Sequence, residues 1–249
     1  MTTNKLFYLA LGLLLSSPIL GQDPAEIIQK SEDLMRGASS EASMTIEIVR
    51  PKWSREISMR NWSLGTEFAL SYVDSPAKEK GSVILKRDKE VWNWIPSIER
   101  SIKLPPSMMM QSWMGTDFSN DDLVKQSSLV TDYTHKILGD SLIEGRKCWK
   151  IQLTPKEDAA VVWGKIYTWI DQEFFIQMRS ELYDEDGFLV NIFQSSDVKE
   201  MGGKTLPTRM EMTPVEKEGH KTVLIYNDLK FDVGIDESFF TPQNMKRIR

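Results

Sequence analysis

The stretch SMTIEIV, residues 43–49, alternates between apolar and polar side chains. In an extended chain its methionine and two isoleucines lie on one face, because successive side chains of a strand point to opposite faces of the sheet. The same period of two recurs in EFALSYV, residues 67–73, and in KCWKIQL, residues 147–153. These three segments predict β-strands with one buried face.

Ten further segments carry strand signals, and turn sequences such as YDEDG and MGGK separate most of them. This succession predicts a mainly β fold with a meandering antiparallel sheet, not a chain of βαβ units. The ten segments are residues 55–64, 82–87, 90–95, 100–104, 133–138, 161–170, 174–183, 188–195, 206–213 and 221–231.

The clearest helix signal is DPAEIIQKSEDLMRG, residues 23–37. Asp23 can cap the helix, Pro24 suits its first position, and Gly37 can end it. The isoleucines, leucine and methionine of this segment fall on one helical face. We therefore expect the helix to lie with that face on the sheet.

The first residues of the chain resemble a secretory signal. Lys5 is followed by the apolar run LFYLALGLLL, residues 6–15, and then by small residues. The run is shorter than the roughly 20 apolar residues of a membrane-spanning helix. We predict a cleaved signal peptide at residues 1–21, export to the periplasm, and a single domain at residues 22–249; a retained membrane anchor is the weaker alternative.

Composition limits the classes of partner. The 249-residue chain has a net charge of −5, and removal of the signal takes away only Lys5 among its charged side chains. Such an acidic balance gives no electrostatic basis for binding nucleic acid or anionic lipid head groups. The one cysteine, Cys148, excludes an internal disulfide, so an ordinary core must stabilise the domain.

Several strands are apolar on both faces, as in residues 161–170, where Trp163, Tyr167 and Trp169 alternate with other apolar residues. A sheet with one wet face does not need this pattern, which indicates a curled sheet with a covered inner face. A filled core and a ligand cavity both explain the pattern, and a filled core is the more common arrangement in proteins.

Catalytic signals are weak. His135 and His220 are isolated, so no zinc-ligand cluster is evident, and no phosphate-binding loop or nucleophile elbow occurs. Cys148 and His135 could meet across a hairpin, but no third group is available to orient them. We predict no enzyme activity, no cofactor and no metal site.

The segment PPSMMMQSWMGTDFSNDD, residues 105–122, combines four methionines with two aromatic residues. Methionine is pliable, which suits a surface that repacks around different ligands. The segment is therefore interpreted as a lid over an apolar cavity or as a fixed plug. Asp121 and Asp122 could bind a cation, but Ser119 followed by Asp122 is also a helix-capping signature, which we favour.

The order of several motifs resembles the bacterial outer-membrane lipoprotein-sorting protein family, the LolA-like group. The motifs are SPAKEKGSVIL, EVWNWIPSIERSIKLPP, MMQSWMGTDFSNDDL, EGRKCWKIQLTPK, YDEDG and IDESFFTP. The similarity spans residues 25–245, and its most specific part is the tryptophan–proline strand followed by MGTDFSNDDL.

The resemblance implies a half-open antiparallel β-barrel with an N-terminal helix and a short helical lid over its concave apolar face. It implies a non-enzymatic periplasmic carrier of lipids or lipoprotein acyl chains, in transient contact with membranes and with an inner-membrane RND-type exporter or a lipoprotein-releasing complex as partner. The alternative is an accessory or sensor module that docks on such an exporter or senses mislocalised lipid. The arginine that latches the lid of the carriers has no matching motif here, and Arg87 and Arg100 are the candidates considered.

We predict that the lipid cavity and its lid are formed by aromatic residues and methionines. These residues are Trp92, Trp94, Met108, Met109, Met110, Trp113, Met114, Phe118 and Trp169.

Overall fold

The structure, a computed structural model, describes residues 22–124 and 128–248, so the predicted signal peptide lies outside the described residues. Within those two ranges, thirteen strands form one antiparallel sheet and three α-helices accompany it. Each of the thirteen segments predicted from the sequence overlaps one of the strands, so the mainly β prediction is confirmed.

The helices are α1 (Pro24–Arg36), α2 (Asn120–Val124) and α3 (Pro242–Met245). The strands are β1 (Ser39–Arg50), β2 (Trp53–Leu64), β3 (Phe68–Ser75), β4 (Val83–Arg87), β5 (Glu90–Ile95), β6 (Arg100–Leu104), β7 (Tyr133–Ile143), β8 (Arg146–Pro155), β9 (Lys165–Asp171), β10 (Gln177–Tyr183), β11 (Leu189–Met201), β12 (Lys204–Pro214) and β13 (Lys221–Phe231).

The sheet order is β6-β5-β4-β3-β2-β1-β13-β12-β11-β10-β9-β8-β7. The chain therefore forms two meanders, which join where β1 pairs with β13, for example at Ile46 and Leu224. The strands β6 and β7 are the two edges of the described sheet, so the barrel is half-open. Its curl brings Ile84 of β4 and Ile170 of β9 to one cavity.

Helix α1 lies over the concave face of the sheet and contacts β7, β9 and β12. The Asp23 carboxylate accepts a hydrogen bond of 2.9 Å from the Ala25 amide, which caps the helix as predicted. Gly37 follows at φ +65°, a conformation that glycine adopts without strain. Ile27 and Ile28 are buried against the sheet, which confirms the predicted apolar face.

The chain from residue 105 to α2 leaves edge strand β6 and packs on the concave face. The start of α2 is a capping box: Ser119 N donates to Asp122 Oδ2 at 2.8 Å, and Asp122 N donates to Ser119 Oγ at 3.1 Å. The capping interpretation of Ser119 and Asp122 is therefore confirmed.

The convex face is also partly covered. The C-terminal segment, residues 232–248, packs Phe240 and Met245 against apolar side chains of β2, β3 and β4. The rings of Phe68 and Phe240 lie 5.6 Å apart between their centroids. This cover explains why strands in this half of the sheet are apolar on both faces. None of the described helices is long and apolar enough to cross a bilayer.

Candidate functional site

A cavity of about 260 Å³ lies between the concave face of the sheet and α1. Its lining is mainly apolar and comes from α1, from both meanders and from the loops above them. The apolar lining residues are Ile28, Leu34, Met35, Met44, Met59, Ile84, Phe118, Leu129, Trp163, Ile166, Ile170, Ile176, Leu182, Phe193, Pro207, Met210, Met212 and Leu224.

Strand alternation decides which side chains reach the cavity. In β9, Ile166, Thr168 and Ile170 line it, whereas Tyr167 and Trp169 point to the convex side. Trp169 packs there in a separate apolar cluster. This position differs from the cavity position expected for Trp169 from the sequence, because alternation shows which residues share a face but not which face is concave.

Trp92 and Trp94 likewise lie away from the cavity. They face Leu85 and Val83 across the β4–β5 pair and pack against the cluster that the C-terminal segment covers. A broad aromatic lining was expected from the sequence, but these two tryptophans belong to the convex face.

The methionine-rich segment covers one end of the concave face. Phe118 lines the cavity, and Met109 and Trp113 are buried in the same core cluster, with 5% and 4% of their surface exposed. Met108 and Met114, together with Trp113, line a second cavity of about 180 Å³.

Met110 differs from its neighbours, since 63% of its surface is exposed. It borders a groove of about 530 Å³ at the mouth of the half-barrel. Phe188 lies in the same groove and is 68% exposed. The mouth therefore presents apolar side chains to the solvent.

Two arginines that the sequence analysis did not identify hold this segment. Arg50, at the end of β1, makes a two-pronged ion pair with Asp117 at 2.9 and 3.2 Å and also donates to the Gly115 carbonyl oxygen at 2.8 Å. The Thr222 hydroxyl donates to the same carboxylate at 2.7 Å. Only 9% and 7% of the two charged side chains are exposed, so water screens this pair weakly.

Arg55 of β2 provides a second attachment. Its guanidinium donates to the Met114 carbonyl oxygen and to Glu79 Oε1, the latter at 3.0 Å. Arg87, the candidate from the sequence, instead donates to the Phe240 carbonyl oxygen at 3.1 Å and so fixes the C-terminal segment. Arg100 is exposed at the start of edge strand β6.

Polar groups also line the main cavity. Three of them are carboxylates, Glu32, Asp121 and Asp122. Burial raises the pKa of Asp122, and the hydrogen bonds from Ser119 oppose this rise. The apolar surroundings also raise the pKa of Tyr226 to about 12. Glu32 lies on α1 and the two aspartates lie on α2, so strand alternation says nothing about their position, and the sequence could not show that a cavity lies beside them.

Trp163 lines the cavity although it lies before β9, because the strand predicted over residues 161–170 begins only at Lys165. The strand begins later because Gly164 approaches the Asp184 carbonyl oxygen, and a Cβ at Gly164 would lie 2.4 Å from that oxygen. A glycine within an apolar run was the sequence signal for this interruption.

Cys148 and His135 are far apart. His135 is in register with Leu153, whereas Cys148 lies on the same strand five residues earlier, about 16 Å away along β8. Burial raises the pKa of the Cys148 thiol to about 11, and the side chain has no exposed surface. The described residues also contain no group of three or more potential metal ligands.

Comparisons with known proteins agree with this architecture. A family model described as "Uncharacterized protein" matches residues 65–247. Among solved structures, a domain named as an outer membrane lipoprotein-sorting protein, from Vibrio parahaemolyticus, has a TM-score of 0.80 and 23% identity, with 90% of this chain and 98% of that chain covered. A DUF1329 family protein from Desulfovibrio piger has a TM-score of 0.81 and 21% identity, with 90% and 100% covered.

A LolA superfamily protein from Nitrosomonas europaea has a TM-score of 0.77 and 23% identity, with 90% of this chain and 99% of that chain covered. No curated protein matches the sequence. The resemblance to the lipoprotein-sorting group and the half-open barrel predicted from it are therefore confirmed for the fold. The chain belongs to the family whose model spans residues 65–247, and its fold is that of the LolA superfamily.

Proposed function

We propose that this protein is a periplasmic carrier that binds lipids, or the acyl chains of lipoproteins, for sorting to the outer membrane. The observation that carries the proposal is the cavity of about 260 Å³ on the concave face. Protein interiors are normally filled to the density of organic crystals, so a mainly apolar cavity of this size calls for a ligand.

The chemistry of the lining fits an alkyl chain. Burial of an alkyl chain contributes about 0.8 kcal/mol per CH₂ group, so a surface of isoleucine, leucine and methionine provides affinity without a charged clamp. The cavity is slightly smaller than the roughly 300–1,000 Å³ typical of ligand pockets. The protein therefore suits a slender apolar ligand, and carriage requires no catalytic group or cofactor.

The segment from residue 105 to 124 is proposed as the cover of this site, with Phe118 in contact with the ligand and Met109 and Trp113 behind it. The fold neighbours support carriage, since one of them is named as a lipoprotein-sorting protein. The proposed site excludes Trp92, Trp94 and Trp169, which face the convex side.

Native mass spectrometry of the protein purified from its own periplasm tests the proposal. We expect a mass excess that extraction with organic solvent removes and that lipid analysis identifies as alkyl-chain material. Protein that is consistently ligand-free, and that stays so after incubation with membrane extract, would contradict carriage.

The exposed apolar mouth favours a second candidate, an accessory or sensor module that docks on an inner-membrane RND-type exporter or a lipoprotein-releasing complex. Met110 and Phe188 are the side chains available for such a contact. Cross-linking in intact cells, with photoreactive groups placed at these two positions, separates the roles. Docking is supported over carriage if the protein forms adducts with an inner-membrane protein and holds no bound lipid.

A further inference from the structure

The main cavity contains hydroxyl groups that have no partner. Ser195 is 1% exposed and lines the cavity, and its Oγ makes no hydrogen bond. A buried hydroxyl without a partner is costly, and native proteins rarely keep one without a reason. The neighbouring hydroxyls differ, because Ser180 Oγ donates to Thr168 Oγ1 at 2.8 Å and Thr168 donates to a backbone carbonyl oxygen.

The half-buried Tyr226 side chain provides a second hydroxyl group. It lines the same cavity, and its hydroxyl forms no hydrogen bond with the described residues. Ser195 is in register with Met210, and Met210 with Leu224, so Tyr226 lies two strands and two residues away. The pKa of Tyr226, raised to about 12 by burial, keeps its hydroxyl protonated and able to donate.

The charges around the cavity are of one sign. Glu32, Asp121 and Asp122 line it, whereas none of the described lining residues is lysine, arginine or histidine. A negatively charged head group in the cavity would lose its hydration and face these carboxylates without a compensating cation. Free fatty-acid anions and phospholipid phosphates are therefore poor ligands for the interior.

A positively charged head group would also lose its hydration inside the apolar cavity. The Asp122 carboxylate is already occupied, since it accepts hydrogen bonds from the amide and the hydroxyl of Ser119. Burial raises the pKa of Asp122. Glu32 and Asp121 are the other carboxylates of the lining, and the amine competitor in the test below shows whether they bind a cation. The free donors of Ser195 and Tyr226 suit an uncharged acceptor instead.

We propose that the cavity binds a single-chain neutral lipid whose ester, amide or hydroxyl group accepts hydrogen bonds from Ser195 and Tyr226 inside the cavity. This inference rests on the proposed carrier function and specifies its ligand. The volume of about 260 Å³ favours one chain over several. The same uncharged chemistry occurs in free acylglycerols and in the ester-linked chains of lipoproteins, and the test below distinguishes these two sources.

Competition against a fluorescent acyl probe at pH 8 tests the inference with ligands of one chain length. The competitors are 1-oleoylglycerol, oleate and oleylamine, each below its aggregation concentration, and a triacylated cysteine lipopeptide. We expect 1-oleoylglycerol to bind about tenfold more tightly than the anion and the amine, and at least as tightly as the lipopeptide.

Ser195→Ala should lower the affinity for 1-oleoylglycerol roughly two- to tenfold, which is the effect of one neutral hydrogen bond. The affinities for oleate and oleylamine should stay unchanged. The matched control is Ser40→Ala. Ser40 is a buried serine outside the cavity whose Oγ lies 2.7 Å from Ser63 Oγ, so its loss should not alter the order of the ligands.

The inference is overturned if oleate or oleylamine binds more tightly than 1-oleoylglycerol, or if all three bind equally. It is also overturned if Ser195→Ala leaves the affinity for 1-oleoylglycerol unchanged. None of these results would contradict carriage. A lipopeptide that binds about tenfold more tightly than 1-oleoylglycerol would identify lipoprotein chains as the source and overturn the single-chain ligand. Failure of the probe and every competitor to bind would contradict the carrier function itself.

Discussion

At the scale of single residues, the ion pair of Arg50 and Asp117 holds the covering segment, residues 105–124, to the sheet. The pair is almost fully buried, and it is completed by Thr222 and the Gly115 carbonyl oxygen. Loss of one partner leaves a buried charge without compensation, which costs far more than the pair gains over an apolar replacement.

Arg50→Ala should therefore lower the free energy of unfolding by about 3–5 kcal/mol, measured by urea denaturation. The control is Lys30→Ala, which breaks the exposed ion pair with Glu26 on α1 and should cost less than about 1 kcal/mol. Similar, small costs for both variants would show that Asp117 is solvated when Arg50 is absent, and that the pair does not hold the segment.

The thiol of Cys148 gives a prediction about pH. Burial raises the pKa of this thiol from its ordinary value of about 9 to about 11, so the folded protein favours the protonated thiol. The associated stability is complete below about pH 9 and is lost as the pH rises through 11. Because only the thiolate reacts, iodoacetamide should alkylate the native protein very slowly at pH 8 and rapidly in urea. Equal rates in the two conditions would contradict the burial of Cys148.

At the scale of elements, adjacent methionines of the covering segment have opposite environments. Met109 is 5% exposed in the main core cluster, whereas Met110 is 63% exposed. Met109→Lys should destabilise the protein by several kcal/mol, because burying a charge is costly, while Met110→Lys should change stability by less than about 0.5 kcal/mol. Unfolding midpoints of the two variants provide the comparison.

The comparison also distinguishes a lid from a plug. If Met109→Lys is as stable as Met110→Lys, the segment can turn its charge to water at little cost, and it behaves as a lid. If Met109→Lys unfolds the domain, the segment is part of the core in the empty protein. The burial of Met109, Trp113 and Phe118 leads us to expect the second result.

At the scale of the whole molecule, the strands were predictable and the pairing of distant strands was not. Alternation of side chains and turn sequences together located all thirteen strands, and the capping residues identified α1. The pairing of β1 with β13 joins residues about 180 positions apart, and no local pattern encodes it. The sequence resemblance, not periodicity, provided the half-open barrel.

The site was less predictable, for a related reason. Among the nine residues proposed from the sequence, Phe118 lines the main cavity and Trp92, Trp94 and Trp169 face the convex side. Apolar residues cover both faces, since the C-terminal segment packs on one of them, so hydrophobicity could not identify the concave face. Ser195 attracts no attention in the sequence, because its role depends on lacking a partner in the folded protein.

The central claim is that the concave cavity is the binding site, and the most direct measurement is the affinity of a fluorescent acyl probe when that cavity is filled. Met210 lines the cavity, so the larger side chain of Met210→Trp should fill part of the cavity. The affinity for the probe should then fall about tenfold or more while the protein stays folded. Leu142→Trp, at a highly exposed position of edge strand β7, is the control and should bind as the wild type does. Unchanged probe affinity in a folded Met210→Trp variant would contradict the account.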